Sequence, residues 1–264
     1  MKDIVVTGAY GGMGRATALR LADMGFRVFA LDIKVLDPEK NIIPVRVDVT
    51  DENSVKTAVK TIMEHTKSLY AVIHFAGIYM LDSLVEMDSN SFRRIFDINT
   101  YGAFLVNKAL LPLLSKGSRI IITTSELAPL DPLPFTGIYA VTKAALDKYA
   151  YSLAMELQLL GISVSVLRAG AVDTGMLGAS TSSLDRFCSK TKLYSCNASR
   201  FKSIVNGVEA RCVSPNKIAR KVIEILSKRN PAFAYSINRN PLLLLMNMLP
   251  KRMQLFAIKM VLHK

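Results

Sequence analysis

Short apolar runs that alternate with helical stretches constrain the fold of this chain more than any other feature. Strands that alternate with helices form a parallel sheet with helices on both faces. Most of the segments between the runs have the composition of helices. We therefore predict an α/β fold with one doubly wound parallel sheet over residues 1–240. The runs typical of strands occupy residues 3–7, 27–31, 41–47, 70–75, 119–124, 163–167 and 232–237.

A glycine-rich turn joins the first predicted strand to the first predicted helix. Glycines let the backbone approach a pyrophosphate, and the N-terminus of a helix offers free N–H groups to its oxygens. Strand, glycine turn and helix in this order predict a dinucleotide site in a Rossmann fold. The turn reads Thr7-Gly8-Ala9-Tyr10-Gly11-Gly12-Met13-Gly14, and the helical stretch runs from Arg15 to Met24.

An acidic residue ends the second predicted strand. Asp32 lies 18 residues after Gly14, where a carboxylate can accept hydrogen bonds from an adenosine ribose and repel a 2′-phosphate. No Lys or Arg lies between Gly8 and Gly14, and Lys34 is the only cation near Asp32 in the sequence. The expected cofactor is therefore NAD rather than NADP.

Tyr139 and Lys143 lie four residues apart in a predicted helix that runs to about residue 160. This spacing places them on one helix face, about one turn apart. A phenol normally titrates near ~10, and a nearby ammonium lowers its pKa toward the range of a general acid and base. The same spacing is common in ordinary surface pairs, so the rest of the chain must decide between the two.

Several polar residues and glycines follow the predicted strands directly. In a doubly wound sheet, ligands bind at the carboxyl ends of the strands. A single cleft can therefore collect Asp32, Asp48, Gly77, Ser125 and Gly170.

Together these residues make the chain resemble the short-chain dehydrogenase/reductase family over residues 1–235. Each motif is weak alone, but the set is specific in its order and spacing. The matching elements are Thr7-Gly8-x-x-x-Gly12-x-Gly14, Asp32, Asp48-Val49, Ala76-Gly77, Asn99-x-x-Gly102, Ser125, Tyr139-x-x-x-Lys143 and Gly170-x-Val172-x-Thr174.

No metal site is expected, because the three histidines, His65, His74 and His263, are scattered. The resemblance implies four catalytic residues. Tyr139 would exchange a proton with the substrate oxygen, to which Ser125 would also hydrogen-bond. Lys143 would bind the nicotinamide ribose and keep the pKa of Tyr139 low. Asn99 would interrupt its helix and hold a water that relays protons to Lys143.

The resemblance also implies a cofactor-binding set. Asp48 and Val49 would lie beside the adenine, and Val172 and Thr174 beside the nicotinamide carboxamide. The full set is Thr7, Gly8, Gly12, Met13, Gly14, Asp32, Asp48, Val49, Ala76, Gly77, Tyr139, Lys143, Gly170, Val172 and Thr174.

Two positions depart from the family pattern. Phe75 stands where the family usually has Asn, which is expected to alter how the fourth strand end is held near the adenosine. Ala169 stands where the family usually has Pro, which predicts a more flexible entrance to the substrate loop.

The substrate loop is expected over about residues 175–213. Residues 175–183 read as irregular, where the family places a mobile lid. Residues 184–213 mix apolar and basic side chains, which suits either amphipathic helices over an apolar pocket or a plain helical cap.

The charge is concentrated in the last third of the chain. The net charge is +13, and residues 186–264 contain 16 Lys or Arg against 2 Asp or Glu. A basic region of this kind favours an anionic partner or surface. Its C-terminal end is an apolar, basic extension, residues 241–264, whose first apolar run, residues 241–250, is too short for a membrane span. It is expected either to lie in a membrane interface or to pack over the pocket or on a subunit.

Similar extensions occur in the hydroxysteroid and retinol dehydrogenase branch, which the chain therefore resembles. This favours NAD-dependent interconversion of a secondary alcohol and a ketone on a lipophilic, steroid-like molecule. One alternative is a 3-oxoacyl reductase that docks an acidic carrier, although such chemistry usually draws on NADPH. Another is a non-catalytic NAD-binding protein that docks to a partner or membrane.

The remaining expectations concern location and assembly. An odd number of Cys and the lack of a targeting segment favour the cytoplasm, with possible membrane association. The resemblance implies a homodimer or homotetramer. Nucleic acid is not expected as a partner, because the basic tail is apolar rather than aromatic and polar.

Overall fold

A computed structural model describes residues 1–208 and 212–263. Its seven strands form one parallel sheet in the order β3-β2-β1-β4-β5-β6-β7, which confirms the predicted doubly wound α/β fold. The strands are β1 (Asp3–Thr7), β2 (Arg27–Asp32), β3 (Ile42–Arg46), β4 (Ala71–His74), β5 (Arg119–Thr123), β6 (Ser163–Ala169) and β7 (Ala234–Ile237).

Ten α-helices are found in the described ranges. They are α1 (Gly12–Asp23), α2 (Glu52–His65), α3 (Ser89–Phe96), α4 (Gly102–Leu110), α5 (Gly137–Leu157), α6 (Gly175–Lys190), α7 (Ser195–Val208), α8 (Pro215–Ser227), α9 (Pro241–Met248) and α10 (Lys251–Leu262). A π-helical segment, Asp97–Tyr101, joins α3 to α4, and short 3₁₀ turns follow α4 and α5.

The sheet is buried on both faces. Along β1, Ile4 and Val6 belong to the core beneath α1 and α8, whereas Val5 belongs to the core beneath α2, α4 and α5. Successive side chains of a strand point to opposite faces. A strand covered on both faces therefore has an unbroken apolar sequence, as β1 does.

The expectation that residues 175–183 are irregular is wrong, because this segment forms the first half of α6. The Thr174 hydroxyl caps the helix by accepting a hydrogen bond from Met176 N at 3.3 Å. Such a cap offsets the two glycines that made the segment read as a loop. Residues 209–211 of the predicted substrate loop and Lys264 of the extension lie outside the described residues.

The extension contains two short helices, α9 and α10. In the part of the chain that the structure describes, no helix combines the length and apolar character that a bilayer crossing requires.

Candidate active site

The ends of β1 and β4 meet at the carboxyl edge of the sheet. Gly8 has φ +64°, and a Cβ there would lie 2.6 Å from the Ala76 nitrogen, so only glycine fits this turn. Ala76 N donates to the Thr7 hydroxyl at 3.3 Å. Phe75, which replaces the family's Asn, donates its N–H to Thr7 O at 3.0 Å and buries its ring in the core. The end of β4 is therefore held by backbone hydrogen bonds to Thr7 and by the packing of the Phe75 ring.

The glycine turn forms a cradle at the N-terminus of α1. Gly11 precedes the helix without a side-chain cap, and the first turn contains no acidic residue. A Cβ on Gly14 would collide with the Gly8 carbonyl, and one on Gly12 would lie 2.6 Å from Thr174 Cγ2. Met13 packs against the core. The backbone here fits a dinucleotide pyrophosphate, which needs free N–H groups and close approach.

Two carboxylates lie at the expected adenosine end. Asp32 accepts hydrogen bonds from Tyr10 N at 2.9 Å and from Ile33 N at 2.8 Å. Asp48 accepts from Thr50 N at 2.9 Å and from the Thr50 hydroxyl at 2.7 Å. Asp48 is thus held by its own turn, whereas Asp32 is held by its neighbour Ile33 and by Tyr10 of the glycine turn. Asp48 borders a cleft of about 380 Å³ that is also lined by Ile33, Arg46, Asp51, Ser54 and Thr57.

Lys34 is the only cation near Asp32 in the sequence, but the fold brings further cations to this end of the cleft. Arg46 lies directly opposite Asp32 in the β2–β3 pairing. Arg15 lies over the Tyr10 ring, with its guanidinium 5.8 Å from the ring centroid, and forms an ion pair with Glu39. Arg46 reaches the adenosine end through the register of β2 and β3, and Arg15 is held there by an ion pair with a residue 24 positions away.

Asn99 lies in the π-helical segment Asp97–Tyr101 and is buried. Its side chain accepts from Ile78 N at 2.8 Å and donates to Ile78 O at 3.0 Å and to Thr142 Oγ1 at 3.1 Å. A π turn displaces the backbone of a helix and frequently marks a functional site. Asn99 therefore links the segment after β4 to α5.

Tyr139 and Lys143 lie on the buried side of α5. Lys143 Nζ is 5.7 Å from the Tyr139 ring centroid and donates to Thr123 O at 3.3 Å. A Cβ on Gly77 would lie 3.4 Å from Lys143 Nζ and 3.1 Å from Asn99 Oδ1. Both polar groups therefore lie close to the backbone at Gly77, where the lack of a side chain leaves them room.

Burial dominates the electrostatics of this pair. It raises the pKa of the Tyr139 phenol well above its usual value; the neighbouring Tyr79 adds to the rise and a hydrogen bond with Ser125 opposes it. Burial also lowers the pKa of the Lys143 ammonium to about 8. Burial of the phenol therefore works against the acidity that the sequence analysis expected for Tyr139.

Ser125 follows β5, is buried, and accepts a hydrogen bond from Leu127 N at 3.2 Å. Its side chain and the Tyr139 phenol form a hydrogen bond. Tyr79, which the sequence analysis missed, packs its ring 4.8 Å from that of Tyr139 at 52°. The sequence did offer a signal for Tyr79, because it is an aromatic residue two positions after Gly77 in the segment that follows β4.

A half-buried ion pair supports α5 one turn beyond Lys143. Arg168 of β6 donates to Asp147 through Nε at 3.0 Å and through Nη2 at 2.7 Å. Thr124 also donates to Asp147 at 3.1 Å. These bonds tie the helix that contains Tyr139 to the strand ends that bear Ser125 and Gly170. The sequence analysis did not identify this pair.

The segment after β6 closes the other side of the cleft. Gly170 N donates to Ile237 O at 2.9 Å, and a Cβ on Gly170 would meet Asn238 O and Glu126 Oε1. Ala169, in place of the family's Pro, ends β6 beside Ile237. Val172 is buried and bridges to Val213. Val49 packs its side chain close to Gly102, where a Cβ would lie 2.7 Å from Val49 Cγ2.

An apolar cap lies over the catalytic side of the cleft. Phe135 packs its ring 4.5 Å from Phe187, 5.3 Å from Tyr194 and 5.4 Å from Phe201. Glu86 fastens the α6–α7 connection by accepting from the Thr191 hydroxyl at 2.6 Å. Tyr79 contributes both to this cluster and to the one around Tyr139. The cap therefore joins the catalytic residues through a continuous apolar surface.

Known proteins share both the sequence pattern and the fold. The model of the short chain dehydrogenase family matches residues 2–185. The 3-ketodihydrosphingosine reductase of Bacteroides thetaiotaomicron is 28% identical over 234 residues, 87% of this chain and 85% of that protein. The estradiol 17-beta-dehydrogenase 2 of Mus musculus is 32% identical over 193 residues, 67% of this chain but only 50% of that protein.

Solved structures show the same architecture. Levodione reductase superposes with a TM-score of 0.75 at 23% identity, covering 89% of this chain and 95% of that one. A short chain dehydrogenase from Burkholderia cenocepacia in complex with NADP gives 0.74 at 21% identity, covering 97% and 98%. With the family match to most of its length, this chain belongs to the short-chain dehydrogenase family and is an oxidoreductase that acts on CH–OH groups with a nicotinamide cofactor.

Proposed function

We propose that this enzyme uses NAD to interconvert a secondary alcohol and a ketone on a lipophilic molecule. The observation that carries the proposal is the junction between the buried set Asn99, Ser125, Tyr139 and Lys143 and the apolar cap, with Tyr79 contacting both. A hydride acceptor or donor and a lipophilic substrate would meet at that junction.

Within the site, the phenol and the serine hydroxyl form an oxygen-binding pair. A nicotinamide bound in this cleft would supply the chemistry of hydride exchange with the carbon that bears this oxygen. Tyr139 gives its proton to the ketone oxygen as the alcohol forms, and takes the alcohol proton in the reverse direction. Ser125 orients that oxygen, because its side chain already hydrogen-bonds Tyr139.

Lys143 completes the proton path. Its pKa of about 8 lets the ammonium give or take a proton near neutral pH, which replaces the proton that Tyr139 exchanges with the substrate. Asn99 acts as a positioning residue, because its hydrogen bonds fix the segment after β4 against α5.

The choice of NAD rests on Asp32. Its two oxygens are oriented by backbone N–H groups, so the negative charge is fixed where a 2′-phosphate would come close. Arg15 is held by Glu39, which neutralises one cation that a phosphate would use. Arg46 is exposed and opposes this preference.

The proposal of a lipophilic substrate is based on the apolar cap. The side chains that face one another there are aromatic or aliphatic, and the apolar cluster includes Leu81, Leu184 and Leu262. The related proteins include a reductase named for 3-ketodihydrosphingosine and a dehydrogenase named for estradiol, and both names denote lipophilic molecules with this functional group.

A substrate screen tests the proposal directly. Purified enzyme is incubated with steroid, sphingoid, retinoid and acyl alcohols or ketones and with NAD(H) or NADP(H), while absorbance of the reduced nicotinamide is followed. Turnover of a lipophilic secondary alcohol with NAD, lost in Tyr139→Phe, is expected. Turnover only of small polar alcohols would contradict the proposed substrate class.

A homodimer or homotetramer is proposed from a second surface. The outer sides of the π-helical segment, α4 and α5 expose large apolar side chains and surround a groove of about 400 Å³. The exposed set includes Tyr101, Phe104, Val141, Tyr151 and Met155. Light scattering of Met155→Glu against wild type is expected to show a smaller species; an unchanged mass would refute this interface.

The cytoplasm is the proposed compartment. Cys188, Cys196 and Cys212 are all free thiols, which is the state that a reducing compartment maintains. Fractionation of cells that produce the native chain tests this placement, and recovery from an oxidising compartment would contradict it.

A further inference from the structure

The helices α9 and α10 expose large apolar side chains on their outer sides. In α9 these recur every three residues and lie along one side of the helix. In α10, Met253, Phe256 and Met260 are three or four residues apart and share a side, and Leu255 and Val261 are exposed as well. Met248 is 81% exposed and Phe256 is 65% exposed. We call this set the C-terminal face: Leu242, Leu245, Met248, Met253, Phe256 and Met260.

The inner sides of the same helices face the body and bear polar anchors. Asn247 Oδ1 accepts from Asp131 N at 2.6 Å, and Gln254 Nε2 donates to Asp131 Oδ2 at 3.0 Å. Gln254 is the one buried residue among the side chains described in α9 and α10. The half-buried side chains of the inner sides include the apolar Leu243, Ile258 and Leu262. Both helices are therefore apolar on the outer side as well, and contacts within the chain do not account for that side.

Further contacts hold the C-terminal face beside the catalytic cleft. Glu126, which follows Ser125, accepts a hydrogen bond from Asn240 N at 2.6 Å at the start of α9. At the other end, Asn197 of α7 donates to Leu262 O at 2.7 Å. The two helices therefore run from the loop that bears Ser125 to the apolar cap.

The charge of this region is entirely positive. Residues 241–264 contain Lys251, Arg252, Lys259 and Lys264 and no Asp or Glu. Arg252 and Lys259 are exposed and lie seven residues apart, beside the stripe of Met253, Phe256 and Met260. No ion pair in residues 1–208 and 212–263 involves either of them.

We infer that the C-terminal face is a docking surface for an anionic lipid bilayer. Apolar side chains flanked by cations enter the boundary between headgroups and acyl chains, where basic residues meet anionic lipid. A second copy fits less well, because a two-fold contact brings the same patch together twice. The cations of one copy would then face those of the other with no carboxylate on either face to pair with them.

Docking in this orientation would bring the mouth of the cleft to the membrane. A lipophilic alcohol or ketone could then move between bilayer and cap without crossing water. This consequence rests on the proposed function, whereas the docking itself does not, so vesicle binding is measured without substrate. An enzyme that binds vesicles but does not oxidise lipophilic alcohols would lose only the proposed substrate class.

The test is co-sedimentation of the full chain with vesicles of phosphatidylcholine or of an equimolar mixture of phosphatidylcholine and phosphatidylglycerol. Wild type is expected to bind the anionic vesicles, to bind the neutral ones weakly, and to be released by salt. Arg252→Gln and Lys259→Gln should each weaken binding about fivefold, the effect of removing about one basic contact. Lys67→Gln, which removes an exposed cation elsewhere, should leave binding unchanged.

The apolar contribution is tested by Phe256→Ser combined with Met260→Ser. The matched control is Leu159→Ser, which replaces an exposed leucine far along the chain from α9 and α10. The double variant should lose vesicle binding while its melting temperature stays close to that of the control. Equal binding by the double variant and wild type, or no binding of wild type to anionic vesicles, would overturn the inference.

Light scattering separates a lipid surface from a second copy. If the face docks to lipid, the double variant keeps the mass of wild type in solution. A wild-type oligomer that dissociates in the double variant and never binds vesicles would identify a second copy as the occupant and overturn the proposal.

Discussion

Replacing Lys143 by Met should stabilise the folded protein while it destroys activity. Lys143 is 5% exposed, and burial lowers its pKa from 10.5 to about 8. That difference corresponds to about 3 kcal/mol of unfavourable free energy for holding the ammonium charged in the fold. Met has a similar length and no charge. Its loss of the hydrogen bond to Thr123 O costs about 1 kcal/mol, so the net gain in unfolding free energy is about 2 kcal/mol at pH 7.

The pH dependence distinguishes this cause from better packing. Below pH 8 Lys143 is charged in both folded and unfolded chains, so the full cost is present. Between pH 8 and 10.5 the folded protein has released its proton and the unfolded chain has not. The free energy of unfolding of wild type therefore rises with pH across this interval, and the difference in favour of Lys143→Met becomes smaller.

Urea unfolding of the cofactor-free proteins at pH 7 and at pH 10 measures both effects. Lys148→Met, which replaces an exposed lysine on the same helix, is the matched control and should change stability by no more than about 0.5 kcal/mol. A destabilised Lys143→Met at pH 7, or an advantage that does not change with pH, would refute the argument that the charge is costly.

Three further predictions follow from the site. Asp32→Ala should lower the ratio of kcat/KM with NAD to kcat/KM with NADP about tenfold, because it removes the carboxylate that would accept a hydrogen bond from the adenosine ribose. If this ratio stays unchanged, another group determines the choice of cofactor. Arg168→Met should lower the free energy of unfolding by about 3 kcal/mol by leaving Asp147 buried and unpaired. In urea unfolding, the double variant Arg168→Met/Asp147→Leu should regain much of the free energy that Arg168→Met loses. If the double variant is destabilised as much as Arg168→Met alone, the two residues are not coupled. Alcohol oxidation should rise with pH through an apparent pKa near 8, because deprotonated Lys143 accepts the released proton; a flat profile would contradict this role.

Local sequence signals predicted the framework well for physical reasons. A strand covered on both sides needs apolar residues at successive positions, so β1 was visible as Ile4-Val5-Val6. Gly8 and Gly14 stand where a side chain would collide with backbone, and few other residue types satisfy such positions. Signals of this kind act over a few residues.

The features that were missed depend on contacts between distant residues. The position of Arg46 beside Asp32 follows from the register of two strands, and the pairing of Arg168 with Asp147 follows from how α5 packs on β6. The raised pKa of Tyr139 has the same origin, since sequence spacing gives the distance to Lys143 but not the burial of the phenol.

Glycines misled the prediction for residues 175–183. Gly175 and Gly178 suggested a loop, but Thr174 caps the segment and α6 forms. For the extension, the sequence left open whether it lies in a membrane interface or packs on the pocket or on a subunit. Its inner side packs on the body through Asp131, Glu126 and Asn197, while its outer side is exposed.

Tyr139→Phe tests the central claim most directly, because it removes one hydroxyl from a buried site and leaves the ring in place. The measurement pairs kcat for the best alcohol substrate with the Kd for NAD determined by calorimetry. We predict that kcat falls at least about a hundredfold while Kd stays close to that of wild type. Turnover in the wild-type range with normal NAD binding would contradict the assignment of proton transfer to Tyr139.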